Sequence, residues 1–139
     1  MKFEYVTYIS ADSSKVWNAL VEPAVVREYY LCPLTEIEPK IDGRISYGEG
    51  MIRGKITGFK EGETLAHTFS FDQNSEPETL VTYRLKAIGE ITELTLTHEG
   101  FAEGSKTYGD VTGGWPTILS QLKTYLETGK KLPWPKPQQ

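Results

Sequence analysis

The chain has 139 residues, a formal net charge of −4 and an isoelectric point near 5.2, which together favour one domain and argue against an electrostatic nucleic-acid binder. Its one cysteine, Cys32, excludes an internal disulfide, and the first residues hold no apolar run of signal-peptide length. We therefore expect a cytoplasmic protein without a membrane span, since no stretch approaches the ~20 apolar residues that crossing requires.

The first elements predicted along the chain are a strand and two short helices. Residues 3–10 alternate in polarity and are rich in β-forming side chains, which indicates a strand. Asp12 and the serines after it offer caps for a short helix over residues 15–20. Pro23 then opens a second short helix, which we expect to end near Cys32, where Pro33 follows.

From residue 42 to residue 100 the pattern predicts strands separated by short turns. The turn signals are Asp-Gly and Gly-Glu-Gly stretches and one polar stretch over residues 72–77. Strands are predicted over residues 44–47, 51–59, 64–71, 80–87 and 91–99. Consecutive short strands of this kind are typical of an antiparallel meander.

Alternation assigns the faces of three of these strands. The side chains predicted to face inward are Leu65, His67, Phe69, Phe71, Val81, Tyr83, Leu85, Leu94, Leu96 and His98. Those predicted to face outward are Thr95, Thr97 and Glu99. The inward set should form one concave surface that needs a cover.

A long amphipathic helix near the end of the chain can supply that cover. Its apolar stripe repeats at three- and four-residue spacing and consists of Trp115, Ile118, Leu119, Leu122, Tyr125 and Leu126. We expect residues 101–109 to form a loop, Pro116 to occupy the first helical turn and Gly129 to end the helix. Gly113 and Gly114 predict a close approach of the helix to the sheet.

The order of these elements resembles the START-like (Bet v 1-like) helix-grip superfamily, and within it the activator of Hsp90 ATPase homologue 1-like family. The resemblance is carried by residues 12–20, Glu22-Pro23 leading to Tyr29-Tyr30, Gly54-Lys55-Ile56 before Thr64-Leu65, residues 94–101 and Gly114-Trp115. It implies an α+β helix-grip fold, a curved antiparallel β-sheet wrapped around a long C-terminal α-helix, with two short helices after the first strand. We assign residues 1–130 to this domain and residues 131–139 to a basic, Pro-rich tail.

The chain departs from that family at two places. Tyr29-Tyr30 stands where paired tryptophans are common, and the strand that often reads Leu-Val-Phe-Thr-Trp here reads Leu-Ala-His-Thr-Phe over residues 65–69. Both departures bring polar atoms toward the interior.

The resemblance also implies a cavity between sheet and helix that takes a small hydrophobic molecule. Such cavities are mainly apolar and contain a few polar groups that orient the ligand. The candidate ligand-binding residues are Tyr29, Tyr30, His67, Phe69, Tyr83, His98, Trp115 and Leu119. The alternative is a solid core in which the same hydroxyls and imidazoles bond to neighbouring protein groups.

His67 and His98 are the two histidines of the chain, and each could serve as an acid or a base. With one strand between them their backbones would lie roughly 9–10 Å apart, and no third ligand is evident, so we expect no metal and no cofactor. The sequence has no nucleophile elbow, phosphate loop or dinucleotide motif. Catalytic residues are therefore not assigned.

Three hypotheses of function remain. The first is binding of a small hydrophobic or aromatic molecule, lipid- or polyketide-like, and the second is a cyclase- or hydratase-type enzyme using a cavity histidine or tyrosine. Two histidines without an organised partner favour binding over catalysis. The third is an Hsp90 co-chaperone-like interaction module, which we expect least because that co-chaperone has an additional N-terminal domain. The sequence is also compatible with a homodimer.

Overall fold

A computed structural model describes residues 1–30 and 35–133 of the chain. Cys32, near which the second helix was predicted to end, and residues 134–139 of the tail lie outside the described residues. The strands are β1 (Lys2–Ile9), β2 (Thr35–Ile37), β3 (Arg44–Tyr47), β4 (Ile52–Lys60), β5 (Thr64–Phe71), β6 (Thr79–Ile88) and β7 (Ile91–Glu99). The helices are α1 (Ser13–Val21), α2 (Pro23–Tyr29) and α3 (Lys106–Thr128), and a 3₁₀ turn spans Asp72–Asn74.

All seven strands form one antiparallel sheet in the order β1-β7-β6-β5-β4-β3-β2. The two short helices follow the first strand, and the long helix comes last. The α+β helix-grip fold predicted from the sequence is confirmed. Strand β2 was missed, because three residues are too short to show a period.

The inner face of the sheet is the face that alternation predicted. Leu65, Val81, Leu94 and Leu96 are fully buried there, and Leu122 of α3 is fully buried as well. A strand residue whose side chain points away from this face is not always exposed, however. Thr97, predicted to look outward, is 4% exposed and lies opposite Thr82, which is 5% exposed.

Helix α3 begins earlier than predicted. It starts at Lys106, so the predicted loop over residues 101–109 is wrong in its second half and Pro116 lies inside the helix. Ser105 caps the first turn by accepting from the N–H of Tyr108. Glu76, from the loop after β5, accepts from the N–H groups of Lys106 and Thr107. Ser105 and Glu76 together satisfy donors that a helix start leaves open, and Glu76 comes from a distant part of the chain.

The close approach predicted at Gly113 and Gly114 is wrong. A Cβ built on either glycine would meet no atom within 4 Å outside the helix itself. Gln121, which the helical pattern placed off the apolar stripe, is 2% exposed. Its amide donates to the carbonyl of Leu132 and accepts from the N–H of the same residue, so the chain after α3 turns back onto the helix.

None of the helices in the described part of the chain combines the length and the apolarity needed to cross a membrane.

Candidate functional site

His98 lies at the centre of a hydrogen-bond chain between the helix and the sheet. The indole Nε1–H of Trp115 donates to its Nδ1 at 3.0 Å. Because Nδ1 accepts, the ring proton sits on Nε2, which lies 2.6 Å from the hydroxyl oxygen of Thr79. That hydroxyl donates to the carbonyl of Phe69 at 3.2 Å. The chain therefore links α3, β7, β6 and β5 and uses both nitrogens of His98.

Charging His98 would break this arrangement, because a protonated imidazole donates at both nitrogens and cannot accept from Trp115. Burial, and to a lesser extent the neighbouring His67, lowers the pKa of His98 to about 3. His98 is thus a neutral residue that positions Trp115.

His67 has the opposite hydrogen-bonding state. Its Nδ1 lies 2.7 Å from the carbonyl oxygen of Thr68, so Nδ1 carries the proton and donates. Its Nε2 is consequently an acceptor, fully buried, and no donor among the described residues reaches it. Burial lowers the pKa of His67 to about 4, although the bond to Thr68 raises it.

Gly54 makes the position of the Thr68 carbonyl possible. A Cβ on Gly54 would lie 1.8 Å from the oxygen of Thr68 and 3.3 Å from Nδ1 of His67. At the same point the N–H of Lys55 donates to the side-chain oxygen of Thr68. The missing side chain of Gly54 therefore leaves the space in which the Thr68 carbonyl turns to His67.

The two histidines occupy one row across the sheet. His67 on β5 lies opposite Val81 on β6, and Val81 lies opposite His98 on β7. The prediction that β6 separates the histidine strands is confirmed. In the described residues no group of three or more potential metal ligands is clustered.

Rings from five elements and from Tyr30, the residue after α2, form this row, and we call the set the aromatic row. It runs through Tyr30, Tyr47, His67, Tyr83, Trp115, Phe69 and His98, with successive centroids 4.3, 6.5, 6.2, 6.2, 6.1 and 4.7 Å apart. Tyr30 and Tyr47 are stacked with an interplanar angle of 9°. Aromatic pairs at these separations attract one another beyond the effect of burial.

The structure brings most of the predicted ligand-binding residues into this row. Leu119 of α3 is 1% exposed and belongs to the same buried core. Tyr29 lies beside the row and donates its hydroxyl proton to the carbonyl of Ala19 at 2.7 Å. Burial, and to a lesser extent Tyr83, raises the pKa of Tyr29.

Three residues of this site, Tyr47, Gly54 and Thr79, were not predicted from the sequence. The alternation of β3 could have placed Tyr47 inward, next to the turn after that strand. Gly54 and Thr79 gave no such signal, because their role depends on atoms of other strands.

Open concave space lies elsewhere on the described part of the molecule. Four surface concavities have volumes of about 420 to 540 Å³, and none of the four is lined by any of the eight predicted residues. One of about 480 Å³ is bordered by Arg27, Ile45 and Gly54. In this structure the predicted ligand-binding residues contact one another.

The two histidines predict a loss of stability in mild acid. Both have folded-state pKa values, about 4 and about 3, below the unfolded value near 6.5, so the folded state disfavours their protonation. Their contribution is complete above pH 6.5 and is lost as the pH falls toward the folded values. We expect urea melts between pH 6.5 and pH 5 to show a loss approaching about 1.4 kcal/mol per pH unit for each histidine.

The control for this experiment is His67→Phe, which should halve the slope. The carboxylates of Asp12, Glu38, Glu76 and Glu127 have lowered pKa values, so their contribution to stability is lost mainly below this pH range. A free energy of unfolding that stays constant between pH 7 and pH 5 would contradict the prediction.

Solved structures share this architecture. An HSP90 activator from Plasmodium falciparum is 20% identical, with 91% of this chain and 96% of that chain covered and a TM-score of 0.82. The Aha1 dimer from Colwellia psychrerythraea is 18% identical, with coverage of 94% and 98% and a TM-score of 0.81. DynU16, a protein of the dynemicin biosynthetic locus, is 22% identical with a TM-score of 0.80, and this chain matches 51% of its length. At these identities the likeness shows the fold.

No curated protein sequence is significantly similar to the chain. The family model for the activator of Hsp90 ATPase homolog 1-like protein matches residues 10–127, which include α1, the aromatic row and nearly all of α3. The chain therefore belongs to the activator of Hsp90 ATPase homolog 1-like family, as its sequence motifs indicated.

Proposed function

We propose that the protein binds a small hydrophobic or aromatic molecule, lipid- or polyketide-like, between the concave face of the sheet and α3. The observation that carries this proposal is Nε2 of His67, a fully buried acceptor without a donor among the described residues. A buried polar atom left in this state costs about 1–3 kcal/mol. A core that served stability alone would contain an apolar ring at this position.

The surroundings of His67 suit such a ligand. Tyr47 and Tyr83 flank the imidazole with ring centroids 6.5 and 6.2 Å away, and both are buried. Aromatic walls with a few oriented polar atoms are usual in small-molecule sites. The rings would have to separate to admit a ligand, and the stacked pair Tyr30 and Tyr47 stands at the end of the row next to α2.

Binding is favoured over catalysis by the state of the two histidines. With pKa values of about 4 and 3, both are neutral near pH 7 and are weak bases. His98 has no free nitrogen, since Trp115 and Thr79 occupy both. The proposal is therefore a cytoplasmic carrier or sensor. A homodimer is included because Aha1 of Colwellia psychrerythraea is a dimer.

The test is a titration of flavonoids, fatty acids and polyketide-like aromatics, followed by amide NMR shifts and tryptophan fluorescence. The wild type is compared with Tyr83→Leu, and Tyr8→Leu is the matched control because Tyr8 is 50% exposed on β1. We expect one class to bind below millimolar, to shift amides of β5–β7 and α3, and to lose about tenfold in affinity in Tyr83→Leu alone. Absence of sub-millimolar binding, or equal binding by all three proteins, would favour the solid core.

A further inference from the structure

We infer that His67 makes this site selective for aromatic alcohols, whose hydroxyl proton is donated to Nε2. The inference rests on the proposed function of the same site and adds the chemical class of its ligand.

The tautomer of His67 is fixed by the backbone rather than by a ligand. Its Nδ1–H is engaged by the carbonyl of Thr68 at 2.7 Å, and that carbonyl occupies the space left by Gly54. A flip of the proton to Nε2 would place the Nδ1 lone pair against the lone pairs of the Thr68 oxygen. Nε2 is therefore held as an acceptor and can be satisfied only by a donor.

This requirement separates ligand classes that are otherwise similar in shape. A phenolic hydroxyl supplies a proton to Nε2, whereas an ether or a ketone presents only lone pairs and leaves the acceptor unsatisfied. A carboxylate would bring a charge into an interior in which both histidines are neutral. A site built to hydrogen-bond one group discriminates strongly against analogues that lack it, because its buried polar atom stays unpaired.

His98 provides an internal contrast. It lies on the same face one strand beyond Val81, but its nitrogens are engaged by Trp115 and Thr79 at 3.0 and 2.6 Å. Among the described residues a donor reaches each nitrogen of His98 that accepts, whereas none reaches Nε2 of His67. Selectivity should therefore depend on one residue.

The experiment compares 1-naphthol with 1-methylnaphthalene, two molecules of nearly equal size that differ in the donor. Affinities are measured by calorimetry for the wild type and for His67→Phe. We expect the wild type to bind 1-naphthol at least about tenfold more tightly than 1-methylnaphthalene. In His67→Phe the preference should vanish or reverse, because the methyl group is the more apolar substituent.

A second measurement uses ¹⁵N NMR of the histidine side chains in the wild-type protein. In the free protein the Nε2 signal of His67 should be that of an unprotonated nitrogen, and it should move on addition of 1-naphthol but not of 1-methylnaphthalene. The His98 signals serve as the control and should keep the Nε2–H pattern throughout. This measurement decides the question even if His67→Phe does not fold.

The outcomes distinguish the inference from the proposed function. If both compounds bind the wild type equally, the site binds apolar molecules and the selectivity is wrong. If neither compound binds, the inference fails, whereas the proposed function fails only if the panel of flavonoids, fatty acids and polyketide-like aromatics also shows no sub-millimolar binding. A protonated Nε2 in the free protein, or an Nε2 already bonded to an internal water that naphthol does not displace, would also overturn the inference.

Discussion

Replacing Leu122 by alanine is expected to lower the free energy of unfolding by about 2–5 kcal/mol. Leu122 is fully buried at the centre of the apolar stripe of α3. Truncation removes apolar contacts and leaves a cavity that a sheet of seven paired strands cannot readily collapse to fill. Urea melts at neutral pH measure this free energy of unfolding. An unchanged dependence on urea concentration checks that unfolding stays two-state.

Ile118→Ala is the matched control on the same helix, because Ile118 is only partly buried and borders the core. Its loss should be clearly smaller than that of Leu122→Ala. A loss below about 0.5 kcal/mol for Leu122→Ala, a value typical of surface positions, would show that α3 presents another face to the sheet.

Gly54→Ala is expected to destabilise the protein by about 3 kcal/mol or more, although it adds one methyl group. The new Cβ would lie 1.8 Å from the carbonyl oxygen of Thr68 and 2.8 Å from its carbonyl carbon. These are backbone atoms in a paired strand, so neither can rotate away as a side chain would. Relief requires β4 and β5 to separate locally, which strains the bond between Lys55 and Thr68.

Gly113→Ala is the control for the chemical change itself. Gly113 is helical, and a Cβ there meets no atom within 4 Å. Alanine should therefore raise stability by about 0.5–1 kcal/mol through helix propensity and the unfolded-state entropy. Equal stability of Gly54→Ala and wild type would mean that the Thr68 carbonyl does not occupy the described position.

Gly54→Ala also bears on the site. If the Thr68 carbonyl moves, His67 loses the acceptor that fixes its Nδ1 proton. The ¹⁵N signals of His67 should then change in Gly54→Ala, while those of His98 keep their pattern. The glycine thus connects the stability of the sheet to the tautomer of His67 in the proposed ligand-binding site.

The sequence by itself determined the elements with a strong period and the faces that they bury. The stripe containing Leu119 and Leu122 and the inward set from Leu65 to His98 could be predicted, because burial of one face imposes a spacing of 3.6 or 2 residues. The same logic placed both histidines in the interior. The family resemblance, carried in part by residues 12–20 and 94–101, then implied that the sheet wraps around the last helix.

Only the tertiary structure decided where α3 begins and which of the two histidines has a ring nitrogen that a ligand could hydrogen-bond. The helix starts at Lys106, where Ser105 caps the first turn and Glu76, about thirty residues earlier, accepts from the N–H of Lys106, and no local pattern encodes the contact with Glu76. His67 and His98 both point to the inner face of the sheet, yet in the part of the chain that the structure describes Nε2 of His67 has no donor and His98 has two partners. A hydrogen bond depends on positions within a few tenths of an ångström, which packing sets and periodicity does not.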